Sequence, residues 1–462
     1  MPPNEETPPY MSIATINRFI RLFDDAFRDL GRPVAMPDVE RLAMLVHSSM
    51  DQPRRAYHTS GHVFGLCEGL SRPRQMLAGL FHDVVYVQLD NGFPKRAELL
   101  LQDVVDRQGD DMVLRHWGSD DVALTLCGGV FGFKPGQCLP LFGGLNEFLS
   151  AVVAVKLLLP YLPESDLLAI AACIEATVAF RGLDADGQSA AQRLRQRLRP
   201  VADARGLGLD DAALDAMVIE AVALANRDVA SFADAAPAHF LSNTWLLIDE
   251  SNAPLAAVGV YSIQQYRGAL ARMERFLSTL NPSHVFQSHA GVPTAVRMRA
   301  LERAARRNLD FSSRYLGAKM VAAALVEALA LATGGDCPVS MFLGDIKGHG
   351  VARPDRVEDF LPRPPQGLAL DTRLLRVLKG GRSQASSNDL TDSPLAAFVY
   401  RSLGEDGMRR ALEQAKRMFD GALLPREFLR QLDAEMVRAV TEACAHIALS
   451  RRDALLAIAA KR

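Results

Sequence analysis

The sequence is poor in aromatic residues, at 7% of its 462 positions, and its Ala- and Leu-rich remainder favours helix over sheet. It has no excess of either charge: 52 basic against 54 acidic residues leave a formal net charge of −2. Nothing global therefore draws it to nucleic acid or an anionic membrane. It lacks a cysteine framework as well. Cys67, Cys127, Cys138, Cys173, Cys337 and Cys444 include no CxxC pair and read as reduced core residues of a cytoplasmic protein. No uninterrupted apolar run approaches the roughly 20 residues that span a bilayer; the longest candidates are broken by Lys156, Glu175 or Glu327. The opening stretch MPPNEETPPYMS has no basic segment followed by an apolar one, so no secretory signal is expected. Histidine is scarce too, at 10 residues, and that scarcity makes its clustering informative.

What is present is helical periodicity. Hydrophobic residues are 49% and charged residues 23%, an ordinary globular balance, in a chain too long for one ordinary core. IATINRFIRLFDDAFRDL and MPDVERLAMLVHSSM, within residues 11–50, carry apolar residues at helical spacing, the second with Pro37 near its first turn. The same spacing predicts helices around 73–89, 95–108, 145–160, 164–180, 188–204, 211–235, 262–280, 295–310 and 314–333. AAVGVYSI, residues 256–263, is the best strand candidate, and one short stretch makes no sheet. From 346 to 392 the chain is rich in Pro, Gly, Ser and Asp and reads as a poorly ordered linker. Helical periodicity returns at 394–403, 406–420 and 425–458. The expected fold is all-α, with a large helical domain over 10–345, the linker, and a small helical module over 393–462. The basic, amphipathic tail suits either a satellite core or a contact in a homo-oligomer.

Two of the histidines, His58 and His62 in YHTSGHV, are four apart, which puts them on one face of any helix that includes both. About twenty residues later, MLAGLFHDVVYV is apolar apart from His82 and Asp83. A helix that apolar is buried, and an ionised carboxylate buried without a partner is strongly destabilising. Asp83 therefore needs a cation, either Arg or Lys, or a metal for which adjacent His and Asp supply N and O ligands. Downstream, VIEAVALANRDVASFA has core-helix spacing, with Asp228 in its second half, away from the turn where the helix dipole favours a carboxylate. Facing inward, it too needs a partner, and the adjacent Arg227 points in a different direction.

The order H…HD…D resembles the HD superfamily of metal-dependent phosphohydrolases, all-helical proteins named for the doublet. The first element is similar to the YHNxxH signature of that superfamily's cyclic-nucleotide phosphodiesterases. It is more similar to the RxYHxxxH opening of a group of predicted bacterial HD phosphohydrolases, met here by Arg55, Tyr57, His58 and His62. The resemblance covers residues 55–235, about two-fifths of the chain. It implies an HD-domain helical bundle over that motif core, with 236–345 as a helical extension. It implies His62, His82, Asp83 and Asp228 as ligands to a divalent metal (Mn, Fe, Zn, Ni, Co or Mg), Asp83 being able to bridge a second ion. His58 would be the general acid that protonates the leaving oxygen. The implied activity is hydrolysis of a small phosphomonoester or phosphodiester, a nucleotide foremost, by water that the metal acidifies. Histidine suits the proton transfer because its pKa lies near operating pH.

The departures from the pattern are informative. Thr59 stands where the phosphodiesterase signature has Asn, and His116 is the only histidine between the doublet and Asp228. A fully ligated second metal needs two more histidines there, which argues against the di-iron oxygenase and cyclic-dinucleotide branches. His116 reads as a surface residue and His289 as a non-ligand. Related phosphohydrolases often carry an acidic residue just after the doublet. Asp90 is the nearest candidate for that catalytic role, with Glu98 behind it. Substrate phosphate needs cations, for which Arg55, Lys134, Arg181 and Arg227 are the candidates near the motif elements. GGVFGFKPGQ lacks the GxxxxGK[ST] pattern and reads as a flexible cover, and Trp245 as packing the metal helices from outside. The same departures leave open a catalytically lost HD module that binds a ligand or transmits a signal without turnover.

Overall fold

The computed structural model of the chain describes residues 14–109, 111–139, 143–256, 260–345, 355–365, 368–382 and 392–461. The chain is all-α as expected, 68% helical, with 20 helices and three short strands among the described residues. It divides into two compact units. One comprises Met1–Ala230 and Ser283–Arg299, the other Ser231–Pro282 and Ala300–Arg462. Both bounds drawn for the linker, 346 and 392, fall inside the second unit.

In the first unit the core is built around Glu164–Ala176, which is buried from Asp166 to Ala176, its two buried acids Asp166 and Glu175 being paired with Arg74 and with Arg181 and Arg197. Pro73–Phe81, Val122–Phe131, Leu145–Leu158, Ala190–Ala204 and Asp211–Asp228 pack on it. The expected N-terminal pair appears as Thr15–Asp29 and Met36–Met50. Phe19, Phe23 and Phe27 recur every fourth residue of the first and form one fully buried stripe. Phe23 meets Phe81 edge to face at 5.6 Å between ring centroids, which seats the helix that leads into the His82–Asp83 doublet.

Three differences from the periodicity have physical causes. The helix expected over 73–89 stops at Phe81. Beyond it the N–H of Val85 donates to Ser150 Oγ at 3.0 Å and that of Val87 to Asn146 Oδ1 at 3.0 Å, so side chains of Leu145–Leu158 take the donors a continuing helix would use. The helix expected over 95–108 ends at Leu101, and Val105–Gln108, Asp111–Leu114 and Cys138–Leu139 form an antiparallel sheet in that order. Its hairpin pairs Gln108 with Asp111 and turns at Gly109, whose φ of 64° suits glycine. Finally, 295–310 and 314–333 are one helix, Ala295–Thr333, because nothing in its Phe311–Ser312–Ser313 centre breaks it.

That 39-residue helix is long and apolar enough to cross a membrane, and 83% of its apolar window is buried within the chain. Also in the second unit, Pro394–Phe419 is interrupted at Gly404, with φ 68° and ψ −177°, where a gap between two helices is expected. The described part of 346–392 includes a 3-10 turn, Val357–Phe360, and a helix, Thr372–Gly380, with Leu374 and Leu378 buried. Residues 1–13, 257–259 of the strand candidate, and 346–354, 366–367 and 383–391 of the linker lie outside the described residues. Trp245 belongs to this unit, where it meets Tyr315 edge on at 5.9 Å.

The Phe23–Phe81 contact gives a stability test. Phe81→Ala is expected to lower unfolding free energy by about 3–5 kcal/mol, read from urea melts; a loss below about 1 kcal/mol would mean this contact does not hold the doublet helix.

Candidate metal centre

Three chain ends bring the candidate ligands together. Ser60–Cys67 carries His62 in its first turn, Pro73–Phe81 is followed at once by His82 and Asp83, and Asp211–Asp228 ends on Asp228. His58 is not on the His62 helix. Thr59, its N-cap, is extended at φ −111° and ψ 173°, and its N–H donates to the Tyr57 carbonyl at 2.8 Å. The two histidines are neighbours through this turn, not through a shared helical face, with ring centroids 5.9 Å apart.

His62, His82 and Asp83 bring one ligand atom each within 4.8 Å of one another, the one such cluster among the described residues. The Nε2 atoms of His62 and His82 face each other at 3.4 Å. Asp83 Oδ2 is 2.8 Å from His82 Nε2 and 3.5 Å from His62 Nε2. Asp228 Oδ1 is 3.1 Å from His62 Nε2 and 3.7 Å from His82 Nε2. His82 Nδ1 lies 2.8 Å from the Gly79 carbonyl, which can only accept, so Nδ1 carries the hydrogen and Nε2 is the nitrogen turned to the carboxylates. Side-chain exposures of 12%, 2%, 13% and 16% for His62, His82, Asp83 and Asp228 leave the cluster narrowly open to solvent.

The electrostatics of this arrangement favour positive charge beside the carboxylates. Asp228 closes an 18-residue helix and Asp83 follows the end of a nine-residue one, so both carboxylates lie at the negative ends of helix dipoles. Burial alone would raise both carboxyls, but the charges of His82, His58 and His62 hold Asp83 well below the usual carboxylate range. Hydrogen bonds from His62 and His82 do the same for Asp228. Burial would lower His82, yet Asp83 and Asp228 lift it well above 6.5. Despite its short approach to His82, Asp83 Oδ2 is buried without a hydrogen-bond donor, because proximity without alignment is not a hydrogen bond. An orphaned anionic oxygen beside two imidazole nitrogens and a second carboxylate is a donor set that suits a divalent transition metal. The residues fit the ion that the H…HD…D order implies.

No family model matches this chain, and no curated protein or solved structure matches it.

Other sequence candidates fall into distinct places. Arg55 and Asp90, expected at the substrate, face each other instead. The guanidinium donates from Nε to Asp90 Oδ1 at 3.0 Å and from Nη2 to Oδ2 at 2.6 Å, with side chains 0% and 1% exposed. Arg55 Nη1 also donates to the Asp83 carbonyl at 2.7 Å. A saturated, sealed pair cannot touch a substrate, and its task is to clamp the backbone of the doublet. Arg181 is engaged likewise, donating from Nη1 at 2.5 Å to buried Glu175, which also receives Arg197 at 2.5 Å. Lys134 is exposed in the loop after Val122–Phe131 and, among the described residues, forms no ion pair. Arg227 is half-buried next to Asp228 in sequence and, among the described residues, forms no ion pair and has its Nε buried without an acceptor. Its charge acts on the buried Cys67 thiol, which burial raises and Arg227 lowers. His116 is exposed, and His289 pairs with Asp215 at 2.9 Å rather than joining the ligands.

Some residues at the site carry no sequence signal. Glu147, in the first turn of Leu145–Leu158, stands within electrostatic reach of Asp83, His82 and Arg181. Burial raises its carboxyl and the Asp83 charge adds to the rise. An acid in a helix's first turn is ordinary, so nothing in the sequence marks it out. Tyr86 packs on His58 at 4.7 Å between ring centroids and Tyr57 on His62 at 4.8 Å, which orients both rings. Behind Asp228, Asn226 exchanges hydrogen bonds of 2.8 and 2.7 Å with the backbone of Gln287, tying in the returning Ser283–Arg299 segment.

The clamp role of Arg55 is testable apart from activity. Arg55→Met strands a buried Asp90 charge and is expected to destabilise by about 3–5 kcal/mol. Arg55→Met with Asp90→Leu is expected to recover most of that in chemical denaturation. If the double variant is no more stable than the single one, the pair is not the clamp described.

Proposed function

We propose that the chain is a metal-dependent phosphohydrolase acting on a small phosphomonoester or phosphodiester, with nucleotides the first class to try. The observation that carries the reading is the convergence of His62, His82, Asp83 and Asp228, with Asp83 Oδ2 buried and lacking a hydrogen-bond donor. It is supported by the order of these residues in the sequence, YHxxxH…HD…D. The activity is assigned to the cytoplasm, whose reducing conditions suit six free cysteines.

His62, His82, Asp83 and Asp228 hold the ion. Bound there, a divalent cation would neutralise phosphoryl oxygens and bring the pKa of a water toward neutrality. The chain supplies the remainder. The Gly79 carbonyl fixes the His82 ring through Nδ1, and Arg55 fixes the Asp83 backbone, so the ligands are pre-set before a substrate arrives. His58, one ring beyond His62, carries the proton for the leaving oxygen. Arg227 offers its guanidinium to the phosphate charge.

The test is phosphate release from bis-p-nitrophenyl phosphate, p-nitrophenyl phosphate and a nucleotide panel, with metal content measured alongside. Asp83→Ala is expected to lose both metal and turnover. His58→Gln is expected to keep its metal while kcat falls about 10²–10⁴-fold, and Arg227→Ala to raise KM more than it lowers kcat. Turnover by metal-free Asp83→Ala protein would overturn the proposal. Bound metal with no turnover on any substrate would favour a module that binds without catalysis.

A further inference from the structure

Asp228 is the last residue of its helix, and just beyond it, at Ala230, the chain leaves the first unit. That is a poor place to fix a ligand. The last turn of a helix has carbonyls without intrahelical partners, and helix ends fray. This turn also carries a carboxylate at the negative end of the helix dipole. A second carboxylate, Asp83, approaches the same two imidazoles. Both effects work against a fixed Asp228.

The chain returns to the first unit as the strap Ser283–Arg299, and the strap is fastened to the Asp228 helix. Val285 and Phe286 are buried, and Gln287 follows them. Asn226 Nδ2 donates to the Gln287 carbonyl at 2.8 Å, and the Gln287 N–H donates to Asn226 Oδ1 at 2.7 Å. The side-chain amide thus serves one peptide unit as both donor and acceptor. Gln287 Nε2 donates to the carbonyl of Ala176, the last residue of Glu164–Ala176, at 3.0 Å. A further anchor is His289, whose Nε2 donates to Asp215 Oδ1 at 2.9 Å, an oxygen that Arg195 Nε also reaches at 2.8 Å. Ala290 and Gly291 then turn the strap back at φ 47° and 79°, with His289 and Val292 bonded across them, as in a two-residue hairpin turn. Asp215 and Asn226 are about three helical turns apart and share a face, so the strap is held near the start of the helix and again in its last turn.

We propose that Asn226, through its exchange with the strap backbone, is the residue that positions Asp228. Residues two apart on a helix point to different sides, so Asn226 is gripped from behind while Asp228 is turned to His62 and His82. The returning chain supplies the hold that the departing helix end lacks. Asn226 is a positioning residue and not a ligand, a role that rests on the metal reading of the cluster. Its partner is the backbone of Gln287, so the side chain at 287 is replaceable as far as the metal is concerned.

The test is cobalt(II) titration of the metal-stripped full chain, with a urea melt of each variant beside it. Asn226→Ala is expected to bind cobalt about 10–100-fold more weakly than the unaltered chain. Gln287→Pro, which removes the N–H from the strap side, is expected to weaken it likewise. Gln287→Ala and His289→Ala are expected to leave cobalt affinity as it is. In Asp228→Ala protein, which keeps three of the ligands, Asn226→Ala is expected to cause no further loss, because it acts through Asp228. Unchanged affinity in folded Asn226→Ala or folded Gln287→Pro, an equal loss in His289→Ala, or a further loss in the Asp228→Ala background would each overturn the positioning role and leave the metal site standing. No cobalt uptake by the unaltered chain would remove the metal site and this role with it.

Discussion

Two buried carboxylates at the ends of helices are the constraint on which the first unit turns. Asp83 and Asp228 each stand where a helix presents its carbonyls, so the local field adds to the repulsion between them and to the penalty of burial. Two imidazoles meet them, with four nitrogen–oxygen approaches of 2.8 to 3.7 Å. Protonated His82 can stand in for a cation, but it leaves Asp83 Oδ2 without a donor. A divalent cation is the group that the proposed function places among these atoms.

Much of the surrounding structure serves to keep those atoms where they are. The apolar Glu164–Ala176 helix gives Pro73–Phe81 and Asp211–Asp228 a common support. Gln75, near the start of one, donates to the Glu220 carbonyl midway along the other at 2.7 Å, so the two helices are joined. Ser150 and Asn146 capture the backbone just after the doublet, and Arg55 grips Asp83 itself from the opposite side. These are hydrogen bonds between side chains and backbone, which fix position more than they add net stability. Pre-set geometry of this kind is what lets an active site bind its ion and substrate without reorganising.

The His–Asp cluster was legible because buried charge in an apolar run is anomalous. His82 and Asp83 stand out in MLAGLFHDVVYV, and Asp228 stands out late in a core helix. All-α character followed from composition and period. What the sequence does not carry is where a long side chain points. Arg55 and Asp90 look like a phosphate-binding cation and a catalytic acid, and only the fold turns them toward each other. Arg181 has the same history with Glu175. Glu147 was invisible for the opposite reason, since its place in a first helical turn needs no explanation. The three-stranded sheet escaped because strands of four, four and two residues are too short to show a period of two.

The central claim is that His62, His82, Asp83 and Asp228 form a metal site, and cobalt(II) tests it most directly because it reports its ligands by visible absorption. Metal-stripped protein is predicted to take up cobalt(II) stoichiometrically and develop a ligand-field band. Asp228→Ala should lose that band, and Asp83→Ala with Asp228→Ala should bind no cobalt. Protein that takes up no cobalt, or a band unchanged in the double variant, would contradict the account.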